Sequence, residues 1–317
     1  MDDTSFIGYS REVIDYLASA PPLQDWPECR QILLDMLAAE ESWIIALPVL
    51  SCEAVGGKCA EAISVAASWT ALRHAANLID KVQDGDFVQS SQINTPEIAI
   101  SYAIALIFSA FQFLDDSVIN SRARRKILSI YAGSGFDSSM GQFQDLNFVS
   151  KQSKNTGQLE EYWNVVILKS GSIFKAGTAG GAAAGSASKP LIEALGDYGT
   201  ALGVIRQVLD DCRDVWIDSE TSKGNATLPL LLHALIHDSG SQNRKNAGEH
   251  TKLSAGRAKI DADILLHETH IPEIIASVLL EWRRRALESL QILEPSEARS
   301  ALVGILEHVL SPRPPDP

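Results

Sequence analysis

Apolar residues recur along most of the chain at the three- and four-residue spacing of a helix face, and alternating β-branched runs are few. Ala and Leu, both strong helix formers, fill most of these positions. The pattern predicts helices over 11–20, 28–39, 41–55, 59–81, 95–115, 121–132, 137–147, 158–185, 189–217, 227–237, 257–267, 272–291 and 296–309. Helix-breaking residues stand between them: Pro21-Pro22, Gly56-Gly57, Gly85, Pro96, the stretch from Gly133 to Gly135, and Pro229. Polar segments at 89–95, 151–158 and 238–255 have loop composition. The closing SPRPPDP cannot be helical, because proline lacks the backbone donor, so a disordered tail over 311–317 is expected. No linker divides the apolar pattern, which predicts a single all-α domain over 1–310. No GxGxxG follows a strand-like run and no period of 20–50 residues repeats, which excludes dinucleotide-binding folds and solenoids.

The chain has 317 residues, 45% of them hydrophobic and 21% charged, enough for a large core and unlike a disordered sequence. Its net charge of −13 argues against nucleic acid and anionic membranes as partners, since both require a positive footprint. Cys29, Cys52, Cys59 and Cys212 form no CxxC pair and fit reduced thiols in a cytoplasmic setting. The start, MDDTSF, lacks the charged and apolar regions of a signal segment. The run from Ile98 to Leu114 is interrupted by Ser101, Tyr102, Ser109 and Gln112, which favours a buried helix over a membrane span.

Candidate chemistry concentrates in two acidic clusters. Asp80-Lys81-Val82-Gln83-Asp84 ends one long helix, and Asp210-Asp211-Cys212-Arg213-Asp214 lies in another. Positions i and i+4 share a helical face, so Asp80/Asp84 and Asp210/Asp214 each form a two-carboxylate patch. Like charges at that spacing destabilise a helix unless a cation lies between them, and all-oxygen donors of this kind suit Mg²⁺. Solvated helix ends in an acidic protein are the plain alternative. For the second cluster it is weaker, because Leu202, Val204, Ile205, Val208 and Leu209 make the preceding turns apolar.

The string YGTALGVIRQVLDDCRD from Tyr198 resembles the second aspartate-rich region of trans-isoprenyl diphosphate synthases. Four further segments match that family in order: His74 to Asp80 leading into a first aspartate-rich motif, Gly141-Gln142-Phe143-Gln144-Asp145-Leu146 as its GQxxDL, Lys169-Ser170-Gly171 as its K-[TS]-G, and Thr227-Leu228-Pro229-Leu230 as its TLPL. The resemblance implies the class I terpenoid-synthase fold: a helical bundle around a central cavity, with acidic clusters facing across its mouth. It implies Mg²⁺ held by Asp80, Asp84, Asp210, Asp211 and Asp214, with Lys169 on an allylic prenyl diphosphate. His74, Ala75, Ala76, Gln142, Ser170, Gln207 and Lys223 are the further substrate-binding candidates. It also implies a homodimer, and a cavity floor at Ala75 and Ala76 small enough to admit a chain of about ten to twenty carbons.

The departures from the pattern carry functional content. Lys81 replaces the second aspartate of the first motif, and Gln89 and Ser90 stand where an Arg-Arg pair follows it. Glu40, Glu41 and Ile44-Ile45 occupy the region of a GKxxRP stretch, and Asn225 stands where a Lys is usual. The missing cations are those the family uses for isopentenyl diphosphate, and Glu40, Glu41 and Ser90 would repel a second diphosphate. Three activities fit: ionisation of one allylic diphosphate with cyclisation or quenching of the cation, transfer to a non-standard acceptor, or a non-catalytic subunit of an active synthase. His233/His237 and His267 to His270 lack a completing Glu pattern and fit surface or satisfied histidines. Arg122 to Lys126 and Arg283 to Arg285 fit solvated faces, and Asp115-Asp116 a helix end. Tyr162, Trp163 and Phe174 are either π-face contacts for a cation or ordinary core.

Overall fold

The structure, a computed structural model, describes residues 6–85, 87, 93–115, 117–148, 157–217, 227–242, 265 and 270–311. Among these residues the regular structure is helical, with no strand. The helices are α1 (Ile7–Ser19), α2 (Pro21–Gln24), α3 (Pro27–Ala38), α4 (Ser42–Glu53), α5 (Cys59–Gln83), α6 (Pro96–Asp115), α7 (Ser121–Phe148) and α8 (Gly157–Val166). A π turn (Ile167–Gly171) joins α8 to α9 (Ser172–Ala184). Then follow α10 (Lys189–Trp216), α11 (Leu228–Gln242), α12 (Ile271–Ser289), a 3₁₀ turn (Leu290–Ile292) and α13 (Glu297–Leu310).

Local signals set several helix starts. Proline occupies the first turn of α3, α10 and α12, where its missing donor costs nothing. Ser296 caps α13 by accepting from Arg299 N at 3.0 Å, and Glu61 reaches back to Lys58 N at 2.9 Å at the start of α5. Helix α4 is apolar all round, with Trp43 through Cys52 buried, as befits a helix at the centre of a bundle. It packs against α5 and α9, and α9 in turn lies against α7 and α10. A second, smaller apolar cluster around Tyr162, Val204, Val208 and Leu228 shares Leu279 and Trp282 with the main core, so the two are continuous.

Three sequence expectations change. The predicted break between 121–132 and 137–147 is absent: Gly133 and Gly135 lie inside the single helix α7. Glycine in a helix interior costs about 1 kcal/mol against alanine, and the packing of α7 along α9 and the π turn outweighs that. Helix α11 runs to Gln242, five residues beyond the expected end at 237 and into the segment given loop character. Helix α6 is buried on one face only. Ala99, Tyr102, Ala103, Leu106, Ala110 and Phe113 point inward, while Ile100, Ile104 and Phe108 are exposed. Most of the predicted helix 257–267, the segments 89–92 and 151–156, and residues 312–317 of the tail lie outside the described residues.

Candidate active site

The last turns of α5 deliver Asp80 and Asp84 to the rim of a cavity of about 950 Å³, and Asp210, Asp211 and Asp214 of α10 also line it. Lys169, on the π turn, reaches the first cluster. Its Nζ lies 2.9 Å from Asp80 Oδ1, 3.0 Å from Asp145 Oδ2 and 3.9 Å from Asp84 Oδ2. Burial disfavours the charged ammonium, but Asp80 and Asp145 outweigh it and hold Lys169 above the ordinary lysine range. Gln142 Nε2 donates to Asp84 Oδ1 at 3.0 Å. Burial and then repulsion from Asp80 raise the Asp84 carboxyl, against the opposing pull of Lys169 and Gln142.

Two glycines allow the π turn to lie where it does. A Cβ on Gly141 would sit 2.6 Å from Lys169 N, and one on Gly203 would sit 2.5 Å from Ser170 O. The turn is therefore sandwiched between bare backbone of α7 and α10, which fixes where Lys169 and Ser170 emerge.

On the α10 side the aspartates differ. The Asp210 side chain is 57% exposed, with Arg206 Nη2 4.0 Å away. Asp211 is buried and its oxygens are held by protein donors. Tyr162 OH donates at 2.7 Å, Leu228 N at 2.8 Å and Gln207 Nε2 at 2.9 Å, and Ser170 Oγ donates to Gln207 Oε1 at 2.6 Å. Burial pushes the Asp211 carboxyl up to about 6 despite these donors. Asp211 thus ties α8, α10 and the start of α11 together, while Asp210 and Asp214 line the mouth.

The interior is apolar and aromatic. Trp69, Phe174, Ile107, Phe111 and Tyr131 line it, with Trp69 and Phe174 edge-to-face at 6.0 Å. Trp69 Nε1 donates to Ile173 O at 2.8 Å, which fixes its indole. Trp69 stands eleven residues before Asp80 on α5, roughly 16 Å deeper along the helix. Of the two expected floor residues, Ala76 lines the cavity, whereas Ala75 is fully buried and off its surface.

Glu40 and Glu41, expected to repel a second diphosphate, are both engaged by partners within the chain. Glu40 pairs with Arg73 of α5 and lies 3.1 Å from His74 Nε2. Glu41 accepts from Trp43 Nε1 at 2.7 Å and lies 3.4 Å from both Arg206 Nη1 and His308 Nε2. Burial raises the Glu40 carboxyl, but His74 and Arg73 together bring it below its ordinary value. Burial also lowers His74, more than Glu40 can restore. Each of the two carboxylates is matched to a guanidinium, Arg206 also lying 4.0 Å from Asp210.

The structure thus brings Asp80, Asp84, Ala76, Gln142, Lys169, Ser170, Gln207, Asp210, Asp211 and Asp214 to one cavity. His74 turns away to Glu40, and Lys223 lies outside the described residues. Arg283, Arg284 and Arg285 pair with Glu307, Glu281 and Glu288 on a solvated face, and Trp163 packs between Tyr162 and Trp282. The sequence reading missed Asp145, which sits three residues after Gln142 on the same face of α7, and the inner cations Arg73 and Arg206.

Among the described residues, no three His, Cys, Asp or Glu side chains converge as a protein-only metal cage. Magnesium keeps several waters and is bound through one or two carboxylates plus substrate phosphates, so paired oxygen donors on two sides of a mouth fit it without such a cage.

The sequence matches the Polyprenyl synthetase family over residues 46–246. It is 29% identical to a short chain isoprenyl diphosphate synthase of Methanothermobacter thermautotrophicus, over 94% of this chain and 98% of that one. It is 28% identical to geranylgeranyl pyrophosphate synthase 7, chloroplastic, of Arabidopsis thaliana, over 74% of this chain and 71% of that one. The fold superposes on geranylgeranyl pyrophosphate synthetase from Pyrococcus horikoshii with a TM-score of 0.79 at 21% identity, covering 98% of each chain. A family signature spanning most of the site, a relative similar along nearly its whole length and the shared all-α fold agree: the chain belongs to the polyprenyl synthetase family and is an enzyme of that family's prenyltransferase type.

Proposed function

We propose that this enzyme ionises one allylic prenyl diphosphate of about ten to twenty carbons and quenches the resulting cation inside its cavity, without isopentenyl diphosphate as a second substrate. The observation that carries the reading is the contrast along one cavity wall. At the mouth, among the described residues, the carboxylates of Asp80, Asp84, Asp145, Asp210 and Asp214 outnumber the ammonium groups of Lys169 and Lys81 that line it, whereas deeper in Arg73 and Arg206 are matched by Glu40 and Glu41.

Asp80 and Asp84 on one side and Asp210 and Asp214 on the other would hold Mg²⁺. When bound, it neutralises the charge that builds on the departing diphosphate. Lys169 contributes an ammonium on a fixed backbone to the diphosphate oxygens. Gln142 orients Asp84, and the Ser170–Gln207–Asp211 chain orients α10. As the allylic C–O bond breaks, the chain lies among Trp69, Phe174 and Phe111, whose apolar surfaces exclude water and whose π faces favour a cation. The volume, near the upper end of small-molecule sites, supports a C10–C20 chain, and Trp69 supports a closed inner end.

The four unbonded thiols support a cytoplasmic setting. The exposed apolar residues Ile100, Ile104 and Phe108 of α6 and Phe136 and Phe143 of α7 support a homodimer, with a second copy covering them. Light scattering of Phe108→Asp against the unaltered protein checks this, with a shift from dimer to monomer expected.

The function is tested by diphosphate release from geranyl, farnesyl and geranylgeranyl diphosphates offered singly with Mg²⁺. Release with a hydrocarbon or alcohol product is expected. Silence with all three contradicts the reading and directs attention to an unidentified acceptor or to a subunit role.

A further inference from the structure

Arg73 and Arg206 form a pair of guanidiniums on the inner wall, each lying over an indole: Arg73 over Trp69 at 5.4 Å and Arg206 over Trp43 at 5.9 Å. They are near enough that the charge on Arg206 opposes that on Arg73. Two cations on one buried, aromatic-backed wall make an anion site by their chemistry, since guanidinium forks match phosphate oxygens. Here the anion is supplied from within the chain. Glu40 and Glu41 are adjacent residues in the turn between α3 and α4, and they reach to different helices. Glu40 goes to Arg73 and His74 of α5, and Glu41 goes to Arg206 of α10 and His308 of α13.

We propose that Glu40 and Glu41 are specificity-determining residues: as built-in counter-anions of Arg73 and Arg206 they close the inner wall to a second diphosphate, and removing their charge opens it. The inference rests on the reading that the enzyme takes one allylic diphosphate. An incoming diphosphate meets two obstacles. The carboxylates are tethered, so they compete at the high effective concentration of an intramolecular partner. The Glu40 side chain is only 10% exposed, and displacing it strands a buried, unpaired charge. Glutamine keeps the shape and removes the charge, leaving Arg73, and Arg206 apart from its 4.0 Å contact with Asp210, to an external anion. The buried Arg73 Nε, which has no hydrogen-bond partner among the described residues, supplies a further donor to such a ligand.

The test is calorimetric titration with isopentenyl diphosphate, and separately with inorganic diphosphate, in excess EDTA so that metal-dependent binding at the mouth does not contribute. The proteins are the unaltered enzyme, Glu40→Gln, Glu41→Gln, the double variant, and the double variant carrying Arg73→Met. Thermal melting reports which of them fold. The double variant is expected to bind both ligands about 30-fold more tightly than the unaltered enzyme, and Arg73→Met to cut the gain to the roughly 5-fold of the Arg206 half. Where Glu40→Gln does not fold, Glu41→Gln, whose carboxylate is less buried, reads the Arg206 half, with a gain of about 5-fold expected. Folded variants that bind no better than the unaltered enzyme overturn the inference, as does a double-variant gain left undiminished by Arg73→Met. Allylic diphosphate release by the unaltered enzyme, measured alongside, separates the two proposals: its absence counts against the proposed function and leaves the binding comparison intact.

Discussion

The mouth of the cavity and its inner wall are built from the same residue types in different proportions. At the mouth, Asp80, Asp84 and Asp145 share Lys169, and Lys81, Asp210 and Asp214 line the same space. On the inner wall, Arg73 and Arg206 meet Glu40 and Glu41, with His74 and His308 completing the contacts and Arg206 reaching to 4.0 Å from Asp210 at the mouth. An excess of acid is a standing demand for cations, whereas a matched set is closed. Whether a charged region binds a ligand thus depends on how much of its charge the protein has already neutralised, not on the amount of charge present.

The hardest test of this contrast is to remove the excess. Asp80→Asn or Asp210→Asn should lower diphosphate release at least about 1000-fold while leaving the fold intact, since both lie at the solvent side of the bundle. Equal rates in either variant would break the comparison. Lys169→Met comes next, with release down about 100-fold. Because the same change removes the cation held among three carboxylates, Mn²⁺ binding without substrate should tighten by about 5-fold, read by electron paramagnetic resonance. Gly141→Ala sharpens the positional claim: its methyl would meet Lys169 N, so a loss of about 1–3 kcal/mol in chemical denaturation is expected, together with reduced release.

The smallest effect concerns the closed wall. Burial holds the folded-state pKa of His74 below the ordinary histidine value near 6.5, so on acidification the unfolded chain takes up this proton before the folded one does. The folded state therefore loses stability as pH falls through that region. Glu40, itself lowered, adds a further loss only at more acid pH, where the unfolded carboxyl protonates. Thermal midpoints should fall by a few degrees from pH 7.5 to pH 5.5, and His74→Gln should flatten that slope.

Much of the fold was legible because Ala and Leu at helical spacing leave few alternatives, and Asp80/Asp84 and Asp210/Asp214 were legible as i, i+4 pairs. Asp211 could have been told apart from its neighbours. Its helical face is that of Val204, Val208 and Val215, all buried, while Asp210 shares the face of Arg206 and Asp214. The role of Asp145 was hidden, since it depends on a π turn that delivers Lys169 from a different helix. The pairing of Glu40 with Arg73 and of Glu41 with Arg206 spans 33 and 165 residues, and no local pattern encodes it. Gly133 and Gly135 misled because local propensity is weaker than the packing of a long helix.

The most direct measurement of the central claim is to titrate the unaltered enzyme, with Mg²⁺ present, with a non-ionisable thiolo analogue of farnesyl diphosphate and then with isopentenyl diphosphate. The account predicts saturable one-to-one binding of the allylic analogue and none of isopentenyl diphosphate, before or after the first ligand is bound. Saturable binding of both at once would contradict it.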